Sequence, residues 1–332
     1  MRSLRVLLIG GAGMTGPYAV RELLSAGHDV WLLHRSHSDS PLLRGSTQIA
    51  GDKSELPVLR QRLAALNIDV IVHMIAFTET EAVSFVDAVA GIVPRAVVIS
   101  SIDVYRAYGR LHRTEPGPPD PTPLREDAPL RSNLSIHGSA YDKTAVERIV
   151  RSNPALPCTV VRYPAVYGPG DKQHRLHGWV RRMNDDRPFI LMGTRQARWR
   201  FTHGYVENMA HALTLAITHP VAVERVYNVG ELHAPTMAER AHMLGRAAGW
   251  AGRVVEIPEE RLPVHLAENL DYAQDWVVDT SRIREELGYE EIVPTYECLE
   301  QSIIWERTNP PSTAAEQFDY AAEDAAVNSG GG

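Results

Sequence analysis

The stretch Gly10-Gly11-Ala12-Gly13-Met14-Thr15-Gly16 decides the fold of this chain. It follows the fully apolar run Val6–Ile9 and precedes residues with helical periodicity, so it connects a first strand to a first helix. Glycines permit a tight turn here and let backbone N–H groups approach a pyrophosphate, whose charge the helix N-terminus favours. This order predicts a dinucleotide site with cofactor contacts from Gly10, Gly13, Met14, Thr15 and Gly16.

Outward from this loop, short Val/Ile/Leu-rich runs alternate with helical patterns as far as Arg162. Such alternation is typical of a parallel sheet with helices on both faces. Strands are predicted at Leu4–Ile9, Asp29–His34, Val70–Met74, Ala96–Ser100 and Thr159–Arg162, and helices at Thr15–Ala26, Ser54–Leu66, Glu79–Ala90 and Ser139–Ser152. The predicted fold class is α/β, a Rossmann-type doubly wound parallel sheet with a smaller C-terminal substrate lobe.

The predicted domain organisation follows from where this alternation stops. Residues 1–165 form the NAD(P)-binding Rossmann domain, to which residues 200–230 return, and residues 166–199 and 231–307 form the substrate lobe. Residues 308–332 include four acids, no Lys or Arg, and a Ser-Gly-Gly-Gly end. A segment of this composition buries too little apolar surface to order itself, so a disordered acidic tail is predicted.

The composition limits the classes of partner. A net charge of −7 offers no basic surface for nucleic acid or an anionic membrane, so neither partner is expected. Two cysteines in 332 residues indicate a reducing compartment rather than a disulfide framework, which makes the cytoplasm the expected location. No apolar run approaches the length that spans a bilayer.

The end of the second strand bears on which nicotinamide cofactor binds. An NAD-specific site usually has an acid there, which accepts hydrogen bonds from the ribose 2′-OH. This chain has Arg35 followed by Ser36. A guanidinium and a hydroxyl suit a 2′-phosphate better, so NADP(H) is favoured over NAD(H).

Further motifs lie downstream of the glycines. They are Gly51-Asp52, His73-Met74-Ile75-Ala76, Ser100-Ser101-Ile102-Asp103-Val104-Tyr105, and Arg162-Tyr163-Pro164-Ala165-Val166-Tyr167-Gly168-Pro169-Gly170-Asp171. With the glycine spacing, they make the chain resemble the extended short-chain dehydrogenase/reductase family, in an atypical branch of the NAD(P)-dependent epimerase/dehydratase-like kind.

The resemblance implies roles for the residues at matching positions. It makes Ser101 and Tyr141 catalytic, and it adds cofactor contacts from Asp52, Ala76, Tyr141, Tyr163, Pro164 and Val166. Substrate contacts are expected from Ser101, Asp103, His174 and Arg200, although Asp103 equally suits the cap of a helix start. The family also implies a small-molecule substrate and a homodimer.

The chain differs from the family at the position of the catalytic lysine. It follows the tyrosine by four residues, yet position 145 is Ala, and no Tyr-x-x-x-Lys occurs in the chain. On one continuous helix, Lys143 would point roughly 200° away from Tyr141. Without a nearby cation a phenol is a poor base at neutral pH.

Two functions therefore stay open. The first is an NAD(P)-dependent oxidoreductase or epimerase/dehydratase with an atypical site, acting on a small hydroxyl or carbonyl compound, with sugar-nucleotide-like substrates as one candidate class. The alternative is a non-catalytic NADP(H)-binding sensor or regulatory protein. No metal site is expected, since no Cys or acid pattern accompanies His174 and His177 in sequence.

Overall fold

A computed structural model of the chain describes residues 2–133, 135–312 and 318–329. Its centre is a sheet of seven parallel strands in the order β10-β6-β5-β4-β1-β2-β3. The strands of this sheet are β1 (Arg5–Ile9), β2 (Asp29–His34), β3 (Thr47–Ala50), β4 (Val70–His73), β5 (Arg95–Ser101), β6 (Cys158–Tyr163) and β10 (Val226–Asn228). The predicted α/β doubly wound fold is confirmed.

Helices cover both faces of this sheet, and its central strands are buried on both faces. Along β1, Val6 and Leu8 pack in a cluster with the helices α1 (Gly16–Ser25) and α8 (Val206–Thr218). Leu7 and Ile9 point to the other face, where they pack with α2 (Leu56–Ala65), α3 (Glu79–Val89) and α5 (Lys143–Ser152). This alternation follows from the period of two in a strand.

The C-terminal lobe has its own core around Val180, Ile190 and Leu244. It contains two two-stranded parallel sheets, β8 (Phe189–Gly193) with β11 (Arg253–Ile257) and β7 (Ala165–Tyr167) with β9 (His203–Tyr205). The remaining helices are α4 (Arg106–Leu111), α6 (His177–Asn184), α7 (Thr194–Arg198), α9 (Met237–Ala248), α10 (Ser281–Leu287), α11 (Thr295–Thr308) and α12 (Tyr320–Asn328).

Two predicted boundaries are wrong. Helix α5 begins at Lys143 and not at Ser139, because the Asp142 carboxylate accepts a hydrogen bond from the Ala145 amide and caps the helix there. The second error concerns the tail. Residues 313–317 and 330–332 lie outside the described residues, but α12 is an ordered helix whose Glu323 is completely buried.

No helix among residues 2–133, 135–312 and 318–329 combines the length and the apolar character needed to cross a membrane.

Candidate active site

The glycine loop has the geometry that a pyrophosphate requires. Gly10 has φ of +80°, and a Cβ there would lie 2.8 Å from the Ile75 side chain. A Cβ on Gly16 would lie 2.1 Å from the Gly11 carbonyl oxygen, so only glycine allows α1 to begin this close to the loop. The first turn of α1 contains no acid, and Thr15 makes no side-chain cap among the described residues. An anion therefore fits this helix N-terminus.

The predicted adenosine contacts lie together at the ends of β2 and β3. The Arg35 side chain is 85% exposed, and its Nε lies 3.8 Å from Asp52 Oδ2. Ser36 is also exposed. Hydrogen bonds from the backbone and hydroxyl of Ser54 to the Asp52 carboxylate lower its pKa. Arg35 is thus free to turn toward a ligand, while Asp52 is engaged in a turn.

The segment after β6 passes close to the glycine loop. A Cβ on Gly170 would lie 3.7 Å from Met14 Cγ. Pro164 is buried, and Val166 is half-buried. Tyr163 is a core residue, since its hydroxyl donates to the Met209 carbonyl at 2.8 Å. Its side chain is committed to that contact, which leaves only its backbone for the predicted cofactor contact.

The predicted catalytic residues meet beyond the carboxyl ends of β4 and β5. Ser101 ends β5, and its Oγ accepts a hydrogen bond from the Asp103 amide at 3.2 Å. The Tyr141 hydroxyl donates to Asp103 Oδ2 at 2.7 Å. Burial and the Asp103 carboxylate raise the pKa of Tyr141 well above its usual value, although a hydrogen bond with Ser101 opposes that shift. Ala76, which follows β4, is fully buried.

Lys143 enters this site, contrary to the sequence prediction. Tyr141 is extended, with φ of −150°, and precedes α5, so no continuous helix separates the two side chains. The Lys143 Nζ donates to the Ile99 carbonyl at 2.9 Å and lies 4.7 Å from the centroid of the Phe77 ring. The Tyr141 ring stacks on the same Phe77 ring at a centroid distance of 6.0 Å. Burial lowers the pKa of Lys143 to about 8.

A buried guanidinium and an imidazole complete the surroundings of Tyr141. The Arg131 side chain is fully buried, its Nη2 lies 4.0 Å from Asp103 Oδ1, and its nitrogens find no hydrogen-bond partner in the described part of the chain. His137 Nε2 lies 3.8 Å from Asp103 Oδ2, and its ring packs edge-on against Tyr141 at 4.7 Å. Sequence reasoning missed both residues, because they lie in a loop without a periodic pattern.

A buried network of hydrogen bonds and an ion pair connects α5 to β5 and β6 next to the site. Glu147 on α5 forms a two-pronged ion pair with Arg162 on β6, at 2.9 and 2.7 Å. The Ser100 hydroxyl donates to Glu147 at 2.5 Å, and Arg162 donates to the Tyr105 hydroxyl at 2.7 Å. Each buried charge is thus paired, which is the condition for tolerating such groups in a core. The network fixes α5, and with it Lys143, against β5 and β6.

An aromatic wall extends from the catalytic residues toward the C-terminal lobe. The Tyr108 hydroxyl lies 3.2 Å from His137 Nε2, and its ring packs against Trp276 at 4.5 Å. Trp276 stacks on Phe201 at 4.7 Å with an interplanar angle of 5°. Trp199 stacks on the other side of this group, 5.2 Å from Phe201. Tyr108 and Trp199 are buried in this group, and Phe201 and Trp276 are partly exposed.

Two predicted substrate residues lie elsewhere. His174 contacts Glu306, His177 and Trp305 in the C-terminal lobe. Arg200 is exposed and donates to the Ala234 carbonyl at 2.8 Å. It lines a cavity of about 640 Å³ whose lining residues include neither Ser101 nor Tyr141. The structure therefore does not group either residue with the catalytic centre.

Comparison with known proteins agrees with this geometry. The sequence pattern of the NAD dependent epimerase/dehydratase family matches residues 6–230. The chain is 29% identical over 287 residues to the 2′-dehydrokanamycin reductase of Streptomyces kanamyceticus, a match that covers 84% of this chain and 75% of the reductase.

Solved structures share the fold. The dTDP-glucose 4,6-dehydratase of Bacillus anthracis, in complex with NAD, has a TM-score of 0.69 at 17% identity and covers 92% of this chain and 97% of its own. The UDP-glucose 4-epimerase of Thermotoga maritima, with UDP-glucose, has a TM-score of 0.68 at 18% identity, with 92% and 99% covered. At these identities the likeness establishes the fold alone.

Proposed function

The chain belongs to the NAD-dependent epimerase/dehydratase family, and we propose that it is an NADP(H)-dependent reductase that converts a carbonyl group of a small substrate into an alcohol. The observation that carries the proposal is the Tyr141 hydroxyl, which donates a hydrogen bond to Asp103, on a ring that stacks on the Phe77 ring contacted by the Lys143 ammonium. The similarity to the 2′-dehydrokanamycin reductase supports the same direction of reaction.

Tyr141 is the proton donor in this proposal. Reduction needs a hydride for the carbonyl carbon, which the nicotinamide supplies when bound, and a proton for the carbonyl oxygen. The raised pKa keeps the Tyr141 hydroxyl protonated at neutral pH. Tyr141 turns from Asp103 toward the substrate oxygen, and the Ser101 hydroxyl donates to the same oxygen.

Lys143 and His137 support that step in different ways. The Lys143 ammonium opposes the negative charge that proton donation leaves on the Tyr141 oxygen. His137 is about one-third exposed and lies between solvent and Asp103. A proton can therefore return to Tyr141 from solvent through His137 and Asp103.

The cofactor preference rests on Arg35. Its exposed guanidinium at the end of β2 suits a 2′-phosphate, and Ser36 offers a second donor. The glycine loop and the N-terminus of α1 hold the pyrophosphate, with Met14 and the backbone near Pro164 lining the cofactor.

The aromatic wall indicates the class of substrate. The partly exposed rings of Phe201 and Trp276 can pack against the apolar C–H face of a sugar ring. We infer that the substrate is a ring ketone of the sugar or amino-sugar kind. The alternative, a non-catalytic NADP(H)-binding sensor, is less favoured because the Lys143 ammonium contacts the same Phe77 ring as Tyr141. The homodimer stays a prediction.

A binding assay followed by a turnover assay tests this function. Wild-type protein should enhance NADPH fluorescence, and Gly13→Asp should abolish that signal, because a carboxylate at the helix N-terminus repels the pyrophosphate. A panel of sugar and amino-sugar ketones should then produce NADPH consumption by the wild type only. Failure to bind either NADPH or NADH would contradict cofactor use altogether. NADPH binding without turnover of any ketone would favour the sensor.

A further inference from the structure

We propose that His174, His177 and Glu306 form a binding site for a divalent transition-metal ion of the Zn²⁺ kind in the C-terminal lobe. The three side chains each offer a ligand atom, and these atoms lie within 4.8 Å of one another. Glu306 comes from α11, His177 begins α6, and His174 immediately precedes α6. The cluster is separate from the catalytic centre and from the glycine loop.

The distances are those that a single ion can bridge. Glu306 Oε2 lies 2.8 Å from His174 Nδ1 and 3.6 Å from His177 Nδ1. Zn²⁺ binds imidazole nitrogen and carboxylate oxygen at about 2.0–2.2 Å, so its ligand atoms lie roughly 3.3 Å apart in a tetrahedron. The two observed separations lie on either side of that value, so small side-chain rotations bring all three atoms to one ion.

An ion pair alone does not account for the cluster. It explains His174 and Glu306, but it leaves His177, which is only 5% exposed and whose two ring nitrogens have no partner among the described residues. A buried unpaired polar atom costs about 1–3 kcal/mol. A metal bond to Nδ1 satisfies one of these atoms and gives the buried Glu306 carboxylate a positive partner.

The donor set selects the kind of ion. Two imidazoles and one carboxylate suit Zn²⁺ and its first-row neighbours, whereas Mg²⁺ and Ca²⁺ prefer oxygen ligands alone. His174 is partly exposed, at 19%, so an ion and a water ligand can enter from that side. Trp305 stacks on His174 at 5.0 Å and holds its ring in place. Such a site would clamp α6 to α11.

The site is tested on full-length protein from which bound metal has been removed with a chelator. Zn²⁺ binding is then measured by competition with a chromophoric chelator. We expect one equivalent of Zn²⁺ to bind with a rise in melting temperature, Co²⁺ to give visible absorption bands, and Mg²⁺ to do neither. Loss of an outer partner of a metal ligand already weakens binding about 10- to 100-fold. His177→Ala and Glu306→Gln should therefore weaken Zn²⁺ binding at least about tenfold, while His242→Ala, which removes an exposed histidine of α9, should not.

Two results would overturn the proposal: a wild type that does not compete for Zn²⁺, or Zn²⁺ binding of equal affinity in Glu306→Gln and wild type. If His177→Ala fails to fold by circular dichroism, Glu306→Gln decides the question, because its side chain has nearly the same shape. These readouts do not depend on NADPH or on turnover, so their outcome is independent of the reductase proposal.

Discussion

The surroundings of Tyr141 determine the protonation state of its hydroxyl. Its hydroxyl faces Asp103, and burial beside that carboxylate raises its pKa. A phenol in such a place stays protonated at neutral pH, and its raised pKa also makes it a weaker acid. Carbonyl reduction needs a proton donor, and the protonated Tyr141 fits that role. In the proposed reaction the Lys143 ammonium offsets the weaker acidity, because it stabilises the phenolate that donation leaves.

Lys143 predicts a pH dependence of turnover. Its pKa is lowered to about 8, so it is charged below that pH and loses its charge above it. If the ammonium stabilises charge on Tyr141, kcat/KM should fall as the pH rises through about 8. Lys143→Met should lower kcat/KM by about 10²–10³ and remove this limb of the profile. Lys172→Met, at an exposed loop position, should keep the wild-type profile.

The stability of Lys143→Met shows whether a fall in its kcat/KM is caused by loss of the charge or by unfolding. The folded state releases the Lys143 proton more easily than the unfolded state, whose pKa is near 10.5. The free energy of unfolding of the wild type should therefore rise between about pH 8 and 10.5. At pH 7 the variant avoids burying an ammonium and should be more stable by roughly 1–3 kcal/mol. A less stable variant in urea denaturation would contradict the account.

Arg35 predicts the cofactor preference. Charge-assisted hydrogen bonds are worth about 1.5–3 kcal/mol, so Arg35→Ala should weaken NADPH binding about 10- to 100-fold and change NADH binding little. Fluorescence titration with both cofactors measures this. Arg44→Ala, which removes an exposed arginine that precedes the amino end of β3, serves as the control. Equal losses for NADPH and NADH in Arg35→Ala would contradict a contact with the 2′-phosphate.

At the scale of elements, the start of α5 decides whether the site can work. Helical periodicity extends back to Ser139, so periodicity alone predicts one helix and a lysine that points away from Tyr141. The Asp142 cap breaks that helix. Asp142 could have indicated this boundary, because Asp is a favoured N-cap residue. The sequence was compatible both with a helix capped at Asp142 and with a longer helix from Ser139, and tertiary packing decides between them.

Asp142 itself gives a prediction at this scale. Asp142→Ala should cost about 1 kcal/mol of stability through loss of the cap, with a fall in kcat because Lys143 and Tyr141 lose their relative position. Asp142→Asn should behave nearly as wild type, since Asn also caps helices. Thermal denaturation and turnover of the three proteins provide the comparison. Equal stability of Asp142→Ala and wild type would show that the cap does not define this helix.

Most strands of the central sheet were predictable because parallel strands buried on both faces are continuous apolar runs. β3 was not, since Thr47–Ala50 is short and lies at the sheet edge, with only Ile49 buried. The cofactor-binding part of the site was predictable because the glycine spacing indicates it. The part that depends on loop residues was not predictable. Arg131 and His137 reach Asp103 through tertiary contacts that no local pattern indicates.

At the scale of the whole molecule, α12 is part of the C-terminal lobe. Glu323 pairs with the buried Arg182 and with His265 Nε2, which lies 3.0 Å away. The guanidinium of Arg182 also lies over the Phe318 ring at 4.8 Å. Composition indicated a disordered segment because these partners are distant in sequence. Burial of one acid between two partners outweighs the low apolar content of the helix.

Removal of that acid should destabilise the protein. Glu323→Ala leaves Arg182 buried and unpaired, which typically costs about 3–5 kcal/mol. The neighbouring Asp324→Ala breaks a half-exposed pair with Arg187 and should cost no more than about 1 kcal/mol. Guanidinium denaturation measures both. Equal effects of the two substitutions would mean that α12 does not dock through Glu323.

The central claim is that Tyr141 donates the proton in an NADPH-dependent reduction, and kcat for ketone reduction by Tyr141→Phe tests it most directly. Loss of a general acid typically costs about 10²–10⁴ in rate, so kcat should fall by this factor while NADPH affinity stays within about twofold. Tyr296→Phe, at an exposed position on α11, should match wild type. A Tyr141→Phe enzyme that reduces the ketone at the wild-type rate would contradict the account.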